Sequence, residues 1–568
     1  MKQSLSFIRT NYEVPSNQLT NSNNLLERAG YIHLQNGRFI SYLPLAKRVL
    51  FKIEKLIREE MNRLQANEIS LPILNSFQQE RPSNDAVSKN VELFHIQNRK
   101  SEELYLAPSH EEILTSIVKE QIKSYKQLPL VLYQIQTKFR DELEQNGLFK
   151  SLEFIMKDAY SFHNSKESLD EFYGKMEQAY STIFSRLGLT YKKVVADLGN
   201  YCGEISHEFI VLSENGDVTI AYSNESDYAV NIDLAEVITQ HFTHAEELKE
   251  LKKQKFSIDP DKDEDILNQL ELPPEKIIKT KTYKINDELL VVLYRGDHQL
   301  NEVKLKNLLH VKNLTLADDD FTREIIGCSV NSVGPIKLPV QVKVIADNGI
   351  KSISNGVACA NEDGYYYENV NPERDFAINA YEDIRYIQEG EPSPDGIGTI
   401  QFAKGFEVAH IFKLGSTYSV ESEALFVDEF GDKKPLQMGA YGLGVSRLFA
   451  VASQFYQDGS GFTWPNSIAP FDVHLLTENV ENEEEWLVSE QLYNILSTYQ
   501  FDVLFDDRHT TIDEKLNDAN LIGLPVQVIV SSKVQQGIVK VQYRRTGETF
   551  ECAKEELIDR LNEYFRVY

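Results

Sequence analysis

Residues Tyr133–His163, YQIQTKFRDELEQNGLFKSLEFIMKDAYSFH, decide the fold because they contain two strand-like runs joined by a turn. Apolar or aromatic residues alternate with polar ones in 133–139, aromatic residues recur in 153–162, and Asn146-Gly147 between them favours a turn. Arg140 follows the first run and Phe154 begins the second. A guanidinium binds phosphate through two parallel hydrogen bonds, and an aromatic ring can stack on a base. The hairpin therefore suggests a nucleotide site, and a surface hairpin with one ion pair is the alternative.

Length and composition limit the class of protein. With 568 residues, the chain is expected to form about three or four domains. No apolar run of about 18 residues and no leader pattern is apparent, so we expect a cytoplasmic protein that does not span a membrane. The four cysteines are scattered, which argues against a disulfide framework and a structural zinc. The net charge, 59 − 87 = −28, weighs against nucleic-acid binding, but a local basic face can coexist with it.

Helical and strand patterns flank the hairpin. Apolar spacing predicts a long amphipathic helix over 43–64, and the run EISLPIL after it predicts a strand in which Pro72 indicates a sheet edge or an interface. Ser109 and Glu112 form a capping-box pattern, so an N-cap role alone would explain Ser109. A second helix is predicted over about 165–187.

The rest of the chain divides by composition. Residues of about 225–395 contain a charged run and read as an inserted α+β domain. In 439–449, Gly442 and Gly444 precede Arg447, a weak phosphate-binding signal for which close helix–strand packing is the alternative. The last hundred residues alternate strands with helices, which predicts a compact α/β domain.

Three of these features together resemble the signature motifs of class II aminoacyl-tRNA synthetases. They are Pro72 after a long helix, Phe139-Arg140-Asp141-Glu142 with Phe154 and Asp158, and GAYGLGVSR ending at Arg447. Further segments resemble bacterial-type prolyl-tRNA synthetases over essentially the whole chain: LAPSHEE, YQIQTKFRDE, EFIMKDAYSFH, SHEF, RGDHQLNEVKLKNLL, PSPDG, GSGFTWPNSIAPF and ANLIGLPVQVIV. The chain is thus identified as a divergent member of that family.

The resemblance implies a multidomain α/β and α+β protein. Residues 1–224 would form the first part of the catalytic domain, with motifs 1 and 2, and 396–467 its second part, with motif 3. The catalytic domain would be an antiparallel sheet with flanking helices. An editing-type α+β domain would occupy 225–395 and an α/β anticodon-binding domain 468–568. Family members are homodimers through the first motif.

The implied reaction is a two-step ligation. L-proline and ATP, with Mg²⁺, would form prolyl-adenylate, and the prolyl group would then move to tRNA(Pro). Arg140, Glu111 and Arg447 would be the catalytic groups, with Arg140 bridging the amino-acid carboxylate and the α-phosphate. The amino-acid site would consist of Ser109, Glu111, Arg140, His207 and His410. The ATP site would consist of Arg140, Glu142, Lys150, Phe154, Glu407, Gly442, Gly444 and Arg447.

The chain departs from the family pattern at several positions. Glu144-Gln145-Asn146 stands where the family has an Arg-Pro-Arg segment, and Lys150 and Leu152 replace arginines. These changes suggest fewer contacts with the triphosphate and the acceptor end of tRNA. Lys279 and Asp347 match positions tied to hydrolysis of mischarged alanyl-tRNA, but a glycine and a histidine usual there are Asn331 and Tyr366. Editing is therefore in question, as is the anticodon contact, because Ile512 and Leu516 replace a glycine and a phenylalanine.

Two alternatives remain open from the sequence. The protein could adenylate proline or a related amino acid without charging tRNA, or it could be a catalytically silent paralogue that acts in binding or regulation. The retained Ser109, Glu111, Arg140, Glu142 and Arg447 favour an active enzyme, and the changed loop favours the alternatives.

Overall fold

The computed structural model of the protein describes residues 1–11, 21–36, 39–76, 93–141, 147–196, 203–238, 246–255, 272–311 and 313–567. The chain forms two compact units, one of Met1–Ser213 with Gly405–Tyr568 and the other of Glu214–Lys404. Within the described ranges, no helix is both long and apolar enough for a membrane span.

The first unit is built on a mainly antiparallel sheet. Neighbouring strands in it are Tyr191–Ala196, Ile205–Leu212, Ile400–Gly415, Gln437–Gly444, Glu153–His163, Leu130–Phe139 and Asn67–Glu68. Asn67–Glu68 alone runs parallel to its neighbour. A smaller sheet contains Leu74–Ser76, Glu103–Leu106 and His95–Gln97. This arrangement is the antiparallel catalytic sheet that the resemblance predicted.

The hairpin predicted from the sequence is present at the centre of this sheet. Its strands, Leu130–Phe139 and Glu153–His163, pair antiparallel so that Gln134 lies opposite Asp158. Tyr133 and Ala159, one residue away on each strand, are almost fully buried against helices. Because side chains alternate between the two faces of a strand, Gln134 and Asp158 point to the other face, where the site lies. Asn146 lies outside the described residues.

Two long helices cover one face of the sheet, which is called here the helix-covered face. They are Pro44–Arg63 and Lys166–Arg186, close to the ranges that apolar spacing predicts. Their apolar side chains share one hydrophobic core with Phe209, Val408 and Tyr441 of the sheet. Ser165 caps the second helix by accepting a hydrogen bond from the Ser168 amide. Further helices in this part are Asn21–Arg28, Glu111–Gln121, Thr417–Glu421 and Val445–Phe455, and further strands are Ile32–Gln35, Phe39–Tyr42, Leu425–Val427, Lys433–Pro435, Gln457–Asp458 and Gly461–Phe462.

Two local predictions are wrong. The predicted strand around Pro72 is interrupted: Asn67–Glu68 and Leu74–Ser76 belong to different sheets, and Leu71 donates its amide hydrogen to the side chain of Gln134. The capping box at Ser109 is also absent, because the helix begins at Glu111 after His110 as the N-cap residue. Ser109 is therefore free for another role, which the pocket defines.

The C-terminal residues form a second sheet in the first unit. Its strand order is Val503–Asp506, Val473–Thr477, Val526–Val530, Ile538–Tyr543 and Thr549–Ala553. The first three strands are parallel and the rest antiparallel, and the helices are Glu483–Thr498, Ile512–Ile522 and Leu557–Val567. The alternation predicted this α/β domain, whereas the last strand, Thr549–Ala553, was missed.

The first residues of the chain dock on this C-terminal domain. Lys2 pairs as a parallel bridge with Phe505, and Ser4 donates hydrogen bonds from its amide and hydroxyl to the Asp507 carboxylate at 2.8 and 2.7 Å. Gln3 is 1% exposed and contacts the buried imidazole of His474 at 3.1 Å. Ile8 packs into the core of the catalytic sheet. This short segment therefore links the two sheets of the first unit.

The second unit has its own cores and sheets. A five-stranded sheet has the order Thr315–Leu316, Ile278–Ile285, Glu288–Arg295, Lys343–Asp347 and Ala380–Glu382. A three-stranded sheet contains Lys252–Lys255, Tyr365–Val370 and Gly356–Cys359. The strands Val218–Ser223 and Ala229–Asn231 pair with each other, and the helices are Glu302–Leu309 and Asp319–Ile325. Arg295-Gly296-Asp297 forms a turn closed by an Arg295–Asp297 ion pair.

Candidate active site

An open pocket of about 1000 Å³ lies on the face of the catalytic sheet opposite the long helices. Met156, Asp158 and Tyr160, at alternate positions of one hairpin strand, line it, as do residues of the neighbouring strands Leu130–Phe139, Ile400–Gly415 and Gln437–Gly444. The predicted residues that line this pocket are Ser109, Glu111, Arg140, Lys150, Phe154, Glu407, His410, Gly442, Gly444 and Arg447. A concave site with a few convergent charged groups is typical of small-molecule binding.

One end of the pocket carries a buried carboxylate. Glu111 is 6% exposed at the start of its helix, and burial raises the pKa of its carboxyl group above the ordinary value. The Ser109 hydroxyl forms a hydrogen bond with Glu111 and lowers that pKa in part. A Ser–Glu pair in a buried recess presents acceptors that suit a positively charged amine.

A buried polar network lies below this end of the pocket. Lys138 donates to the Asp158 carboxylate at 3.1 Å and approaches Nδ1 of His110 at 2.6 Å. The side-chain amide of Gln134 and the hydroxyl of Tyr160 also donate to the same oxygen of Asp158, at 3.0 and 3.2 Å. Lys138 is 0% and Asp158 5% exposed. Three donors thus converge on Oδ2 of Asp158, and these hydrogen bonds offset part of the cost of burying the ion pair.

The sequence interpretation missed Lys138 as a site residue. In 133–139 the polar side chains of Gln134, Gln136 and Lys138 occupy alternate positions, a pattern that also describes a strand with one face in solvent. The sequence held no separate signal for Lys138, because in the hairpin it lies opposite Phe154 and not opposite an acidic residue. Only the pairing register, with Gln134 opposite Asp158, distinguishes a buried polar face from a polar face in solvent.

Arg140 and Phe154 meet at the mouth of the hairpin. The guanidinium carbon of Arg140 lies 5.3 Å from the centre of the Phe154 ring, a cation–π contact. The Arg140 amide donates to the carbonyl of Leu152, which fixes the backbone at this point. Lys150 lines the pocket beside them, and Glu142 lies outside the described residues. The hairpin therefore presents one planar cation and one aromatic ring to a ligand.

Arg447 lies on the opposite wall and is held by three contacts. Its guanidinium donates to the carbonyls of Phe149 and Glu407 at 3.1 and 2.9 Å, and it approaches the Glu407 carboxylate at 3.3 Å. Burial acts to raise the pKa of the Glu407 carboxyl, but the positive charge of Arg447, with smaller effects of His410 and Arg140, lowers it overall. Glu407 is therefore ionised at neutral pH.

The two predicted glycines, Gly442 and Gly444, lie where a side chain would contact neighbouring residues. A Cβ atom on Gly442 would lie 2.4 Å from the terminal methyl carbon of Met156, and one on Gly444 would lie 3.0 Å from Cβ of Arg447. Gly444 is the N-cap residue of the helix Val445–Phe455, which carries Arg447. Close packing therefore explains both glycines, and this packing shapes the pocket wall.

Three side chains at the pocket edge fit a cation. Glu208, Glu407 and His410 each bring one potential ligand atom to within 4.8 Å of the others. The two carboxylates suit Mg²⁺, which prefers oxygen ligands, whereas an imidazole is a poorer ligand for it. His410 stacks on Phe412 with ring centres 3.9 Å apart, so its orientation is fixed by packing.

Not every predicted residue reaches the pocket. His207 points to the helix-covered face, where its Nδ1 lies 2.8 Å from the hydroxyl of Tyr173, and it is not among the residues that line the pocket. Its neighbour Glu208 points to the other face and lies 3.7 Å from His410. Because side chains alternate along a strand, only one of the two adjacent residues can face the ligand.

In the second unit, Lys279 and Asp347 line separate cavities. Lys279 shares one with Asn331, Cys359 and Tyr366. Asp347 lines another, is 1% exposed and accepts a hydrogen bond from the Gly349 amide at 2.8 Å. The structure therefore does not bring the two residues predicted for hydrolysis into one site.

Comparison with protein-family models matches two parts of the chain. Residues 94–456 match the tRNA synthetase class II core domain (G, H, P, S and T), and residues 473–564 match an anticodon-binding domain. The first match covers more than half of the chain and includes the described part of the pocket from Pro108 to Arg447.

Full-length relatives share about half of the residues. A Proline--tRNA ligase of Lysinibacillus sphaericus is 52% identical over 569 residues, with all of both chains covered. One of a Geobacillus species is 47% identical over 565 residues, with 98% of this chain and 99% of the other covered.

Solved structures agree in fold. Prolyl-tRNA synthetase from Cryptosporidium parvum, complexed with halofuginone and AMPPNP, aligns over 97% of this chain and 79% of that one, with a TM-score of 0.58 and 13% identity. A second structure, complexed with L-proline and AMP, aligns with a TM-score of 0.57 and 12% identity. Given the matched class II core and the identity to curated relatives along the whole length, the chain belongs to the bacterial-type proline–tRNA ligases, a family of class II aminoacyl-tRNA synthetases.

Proposed function

We propose that this protein activates L-proline with ATP to give prolyl-adenylate and pyrophosphate, and that it then transfers the prolyl group to tRNA(Pro). The observation that carries the proposal is one pocket that contains a buried Ser109–Glu111 pair, Arg140 on the hairpin and Arg447 on the opposite wall. The Ser109–Glu111 pair suits the amine of proline. Arg140 suits the carboxylate of proline beside the α-phosphate of ATP, and Arg447 suits the triphosphate end. Full-length relatives named Proline--tRNA ligase support the same reaction.

In the proposed complex, the amino acid occupies the end of the pocket that Glu111 closes. The Ser109 hydroxyl and the Glu111 carboxylate accept the N–H groups of the secondary ammonium. Arg140 binds the carboxylate of proline and a non-bridging oxygen of the α-phosphate, and so brings two anions together. His410, fixed by Phe412, borders this end of the site. A direct role for His207 is not part of the proposal, because it lies on the helix-covered face.

ATP occupies the rest of the pocket. Phe154 stacks on adenine, Glu142 and Lys150 contact the nucleotide from the hairpin loop, and Arg447 holds the terminal phosphates. The strand around Gly442 and Gly444 comes close to the ligand because it carries no side chain there. Mg²⁺, bound by the phosphates with Glu407 and Glu208, would neutralise phosphate charge. The carboxylate of proline attacks the α-phosphorus and pyrophosphate leaves, so positioning and charge neutralisation accelerate the step and no general base is needed.

The remaining roles follow from the family. Residues 468–568 would recognise the anticodon of tRNA(Pro), and the protein would act as a homodimer in the cytoplasm. The inserted domain, 225–395, would be an editing-type domain, in which Lys279 and Asp347 were predicted to act in hydrolysis. Because these two residues line different cavities, the cavity of Lys279, with Asn331 and Tyr366, is the one we propose for an aminoacyl end.

The test is ATP–pyrophosphate exchange, followed by charging of tRNA(Pro). We expect exchange that depends on proline and on no other standard amino acid, and transfer of labelled proline to tRNA(Pro). An Arg140→Lys variant keeps the charge but not the planar fork, and we expect exchange to fall by about 10- to 100-fold. Lys533→Met, at an exposed lysine that does not line the pocket, serves as the control for the exchange step, which needs no tRNA.

Other outcomes identify the competing functions. Exchange with proline but no charging would indicate an adenylating enzyme that uses another acceptor. No exchange with any amino acid would indicate a silent paralogue with a binding or regulatory role. Exchange with an amino acid other than proline would mean that the end of the pocket around Glu111 has a different specificity.

A further inference from the structure

The buried network below the amino-acid end of the pocket contains more negative than positive side chains. Three charged side chains are nearly inaccessible there: Glu111 at 6%, Asp158 at 5% and Lys138 at 0% exposure. All three line the pocket. Burying an ion is costly unless it is paired, so a set of two carboxylates and one ammonium group leaves one negative charge without a partner inside this set.

His110 does not supply the missing positive charge. Its Nδ1 lies 2.6 Å from the Lys138 ammonium group, which can only donate, and its Nε2 lies 2.9 Å from the carbonyl oxygen of Pro72, which can only accept. These two contacts select the neutral imidazole with its proton on Nε2. Burial and the charge of Lys138 also lower the pKa of His110. The imidazole therefore fixes Lys138 to the backbone at Pro72 without adding charge.

The Asp158 carboxylate is asymmetric in its contacts. Gln134, Lys138 and Tyr160 all donate to Oδ2. The other oxygen, Oδ1, is buried and has no hydrogen-bond partner among the residues that the structure describes. A carboxylate oxygen left without a donor beside a ligand pocket holds uncompensated negative potential. That potential is directed at whatever occupies the amino-acid end of the pocket.

We propose that Lys138 and Asp158 are positioning residues that, together with Glu111, set the net charge of this pocket floor at −1, so that the floor is complementary to the single positive charge of a secondary ammonium. The inference rests on the proposed function, because it concerns how proline is recognised. With Arg140 facing the substrate carboxylate, the floor and Arg140 together are neutral and match a zwitterion. The floor disfavours an uncharged ring analogue, because such a ligand leaves the one negative charge that Lys138 does not balance buried without a partner.

The net charge of the floor predicts that a second substitution restores the affinity for proline that a first substitution removes. Asp158→Asn leaves Glu111 and Lys138, a floor of net charge zero, and we expect the KM for proline to rise about 10- to 100-fold while the KM for ATP stays unchanged. Adding Lys138→Met restores a floor of −1. The double variant is therefore expected to regain most of the lost affinity for proline, although it lacks two residues of the network.

The assay combines proline-dependent pyrophosphate exchange with calorimetric binding of proline, and thermal melting confirms that each variant is folded. Lys515→Met is the matched control: it removes a fully buried lysine of the C-terminal domain, which donates to the Thr477 carbonyl and does not line the pocket. If Asp158→Asn does not fold, Glu111→Gln with and without Lys138→Met makes the same comparison, from zero back to −1.

An Asp158→Asn protein that binds proline as the wild type does would overturn the inference, and so would a double variant weaker than the single one. A variant whose KM values for ATP and proline rise together would point to a purely structural role and also count against it. Failure of the wild type to exchange with proline, with charge-dependent binding of proline intact, would overturn the proposed function and leave the floor charge supported.

Discussion

Replacement of Lys157 by methionine is expected to change the stability of the protein more favourably at neutral pH than in alkali. Lys157 is fully buried in the helix-covered face, where its ammonium group contacts the Tyr180 hydroxyl at 2.5 Å and the Tyr441 carbonyl at 3.1 Å. Burial lowers the pKa of this lysine from 10.5 to about 7. The unfolded chain therefore binds a proton between these pH values that the folded chain does not, so the free energy of unfolding rises with pH.

The magnitude follows from this difference in pKa. At about 1.4 kcal/mol for each pKa unit, holding Lys157 in the folded protein costs up to about 5 kcal/mol at pH 7 and only about 1.4 kcal/mol at pH 9.5. Methionine removes that cost but leaves two buried groups without their donor, which costs about 1–3 kcal/mol for each. We therefore expect a net change between a gain of about 3 and a loss of about 1 kcal/mol at pH 7, and a net loss at pH 9.5. The variant should thus compare better with the wild type at pH 7 than at pH 9.5, by about 3–4 kcal/mol.

The assay is thermal melting of the wild type and of Lys157→Met at both pH values. Other ionisable groups titrate alike in the two proteins, so their effects cancel in the difference between the melting temperatures. Lys533→Met, at a lysine whose side chain is 55% exposed, should show the same difference from the wild type at both pH values. Parallel melting differences at pH 7 and pH 9.5 would refute the reasoning, because they would mean that Lys157 is charged in the folded protein.

Three further predictions concern the pocket and the C-terminal domain. Gly442→Ala places a Cβ atom 2.4 Å from the methyl carbon of Met156, a flexible side chain that lines the pocket, so Met156 must move and proline-dependent exchange should fall while the melting temperature changes little. Arg447→Lys loses the fork that contacts two carbonyls and Glu407, so the KM for ATP should rise more than the KM for proline, as steady-state exchange would show. Burial lowers the pKa of His474 from 6.5 to about 4, so stability should fall by up to about 3 kcal/mol as the pH drops through this range, and melting of His474→Gln should show a smaller loss.

Periodicity in the sequence predicts the framework of the catalytic sheet well. The central hairpin and the helix Pro44–Arg63 follow from alternation and from apolar spacing, because both elements bury one face against a single core. Local capping chemistry was less reliable. Ser109 fits a capping box by its spacing, yet the helix starts at Glu111, since the Ser109 hydroxyl instead contacts a buried carboxylate in the pocket. A four-residue sequence pattern cannot show that the folded protein offers the serine hydroxyl a different hydrogen-bond partner.

The same limit explains the outcomes within the site. The family resemblance identified Arg140, Glu111 and Arg447, all of which line the pocket, but it could not show which face of a strand His207 occupies. It also gave no reason to single out Lys138, since a lysine at an alternating position is usually exposed to solvent. Burial and pairing register are properties of the assembled sheet, and they decide the role of both residues.

The docking of the first residues on the C-terminal domain has a consequence for biosynthesis. Ser4 and Asp507 bond across a separation of 503 positions, and Gln3 reaches His474 across 471. The ribosome releases the segment around Gln3 long before the segment around His474 exists. The first segment therefore stays undocked while the residues between the two are synthesised. Closure of this contact would then be among the last events of maturation, and a nascent chain arrested before residue 474 could not complete it.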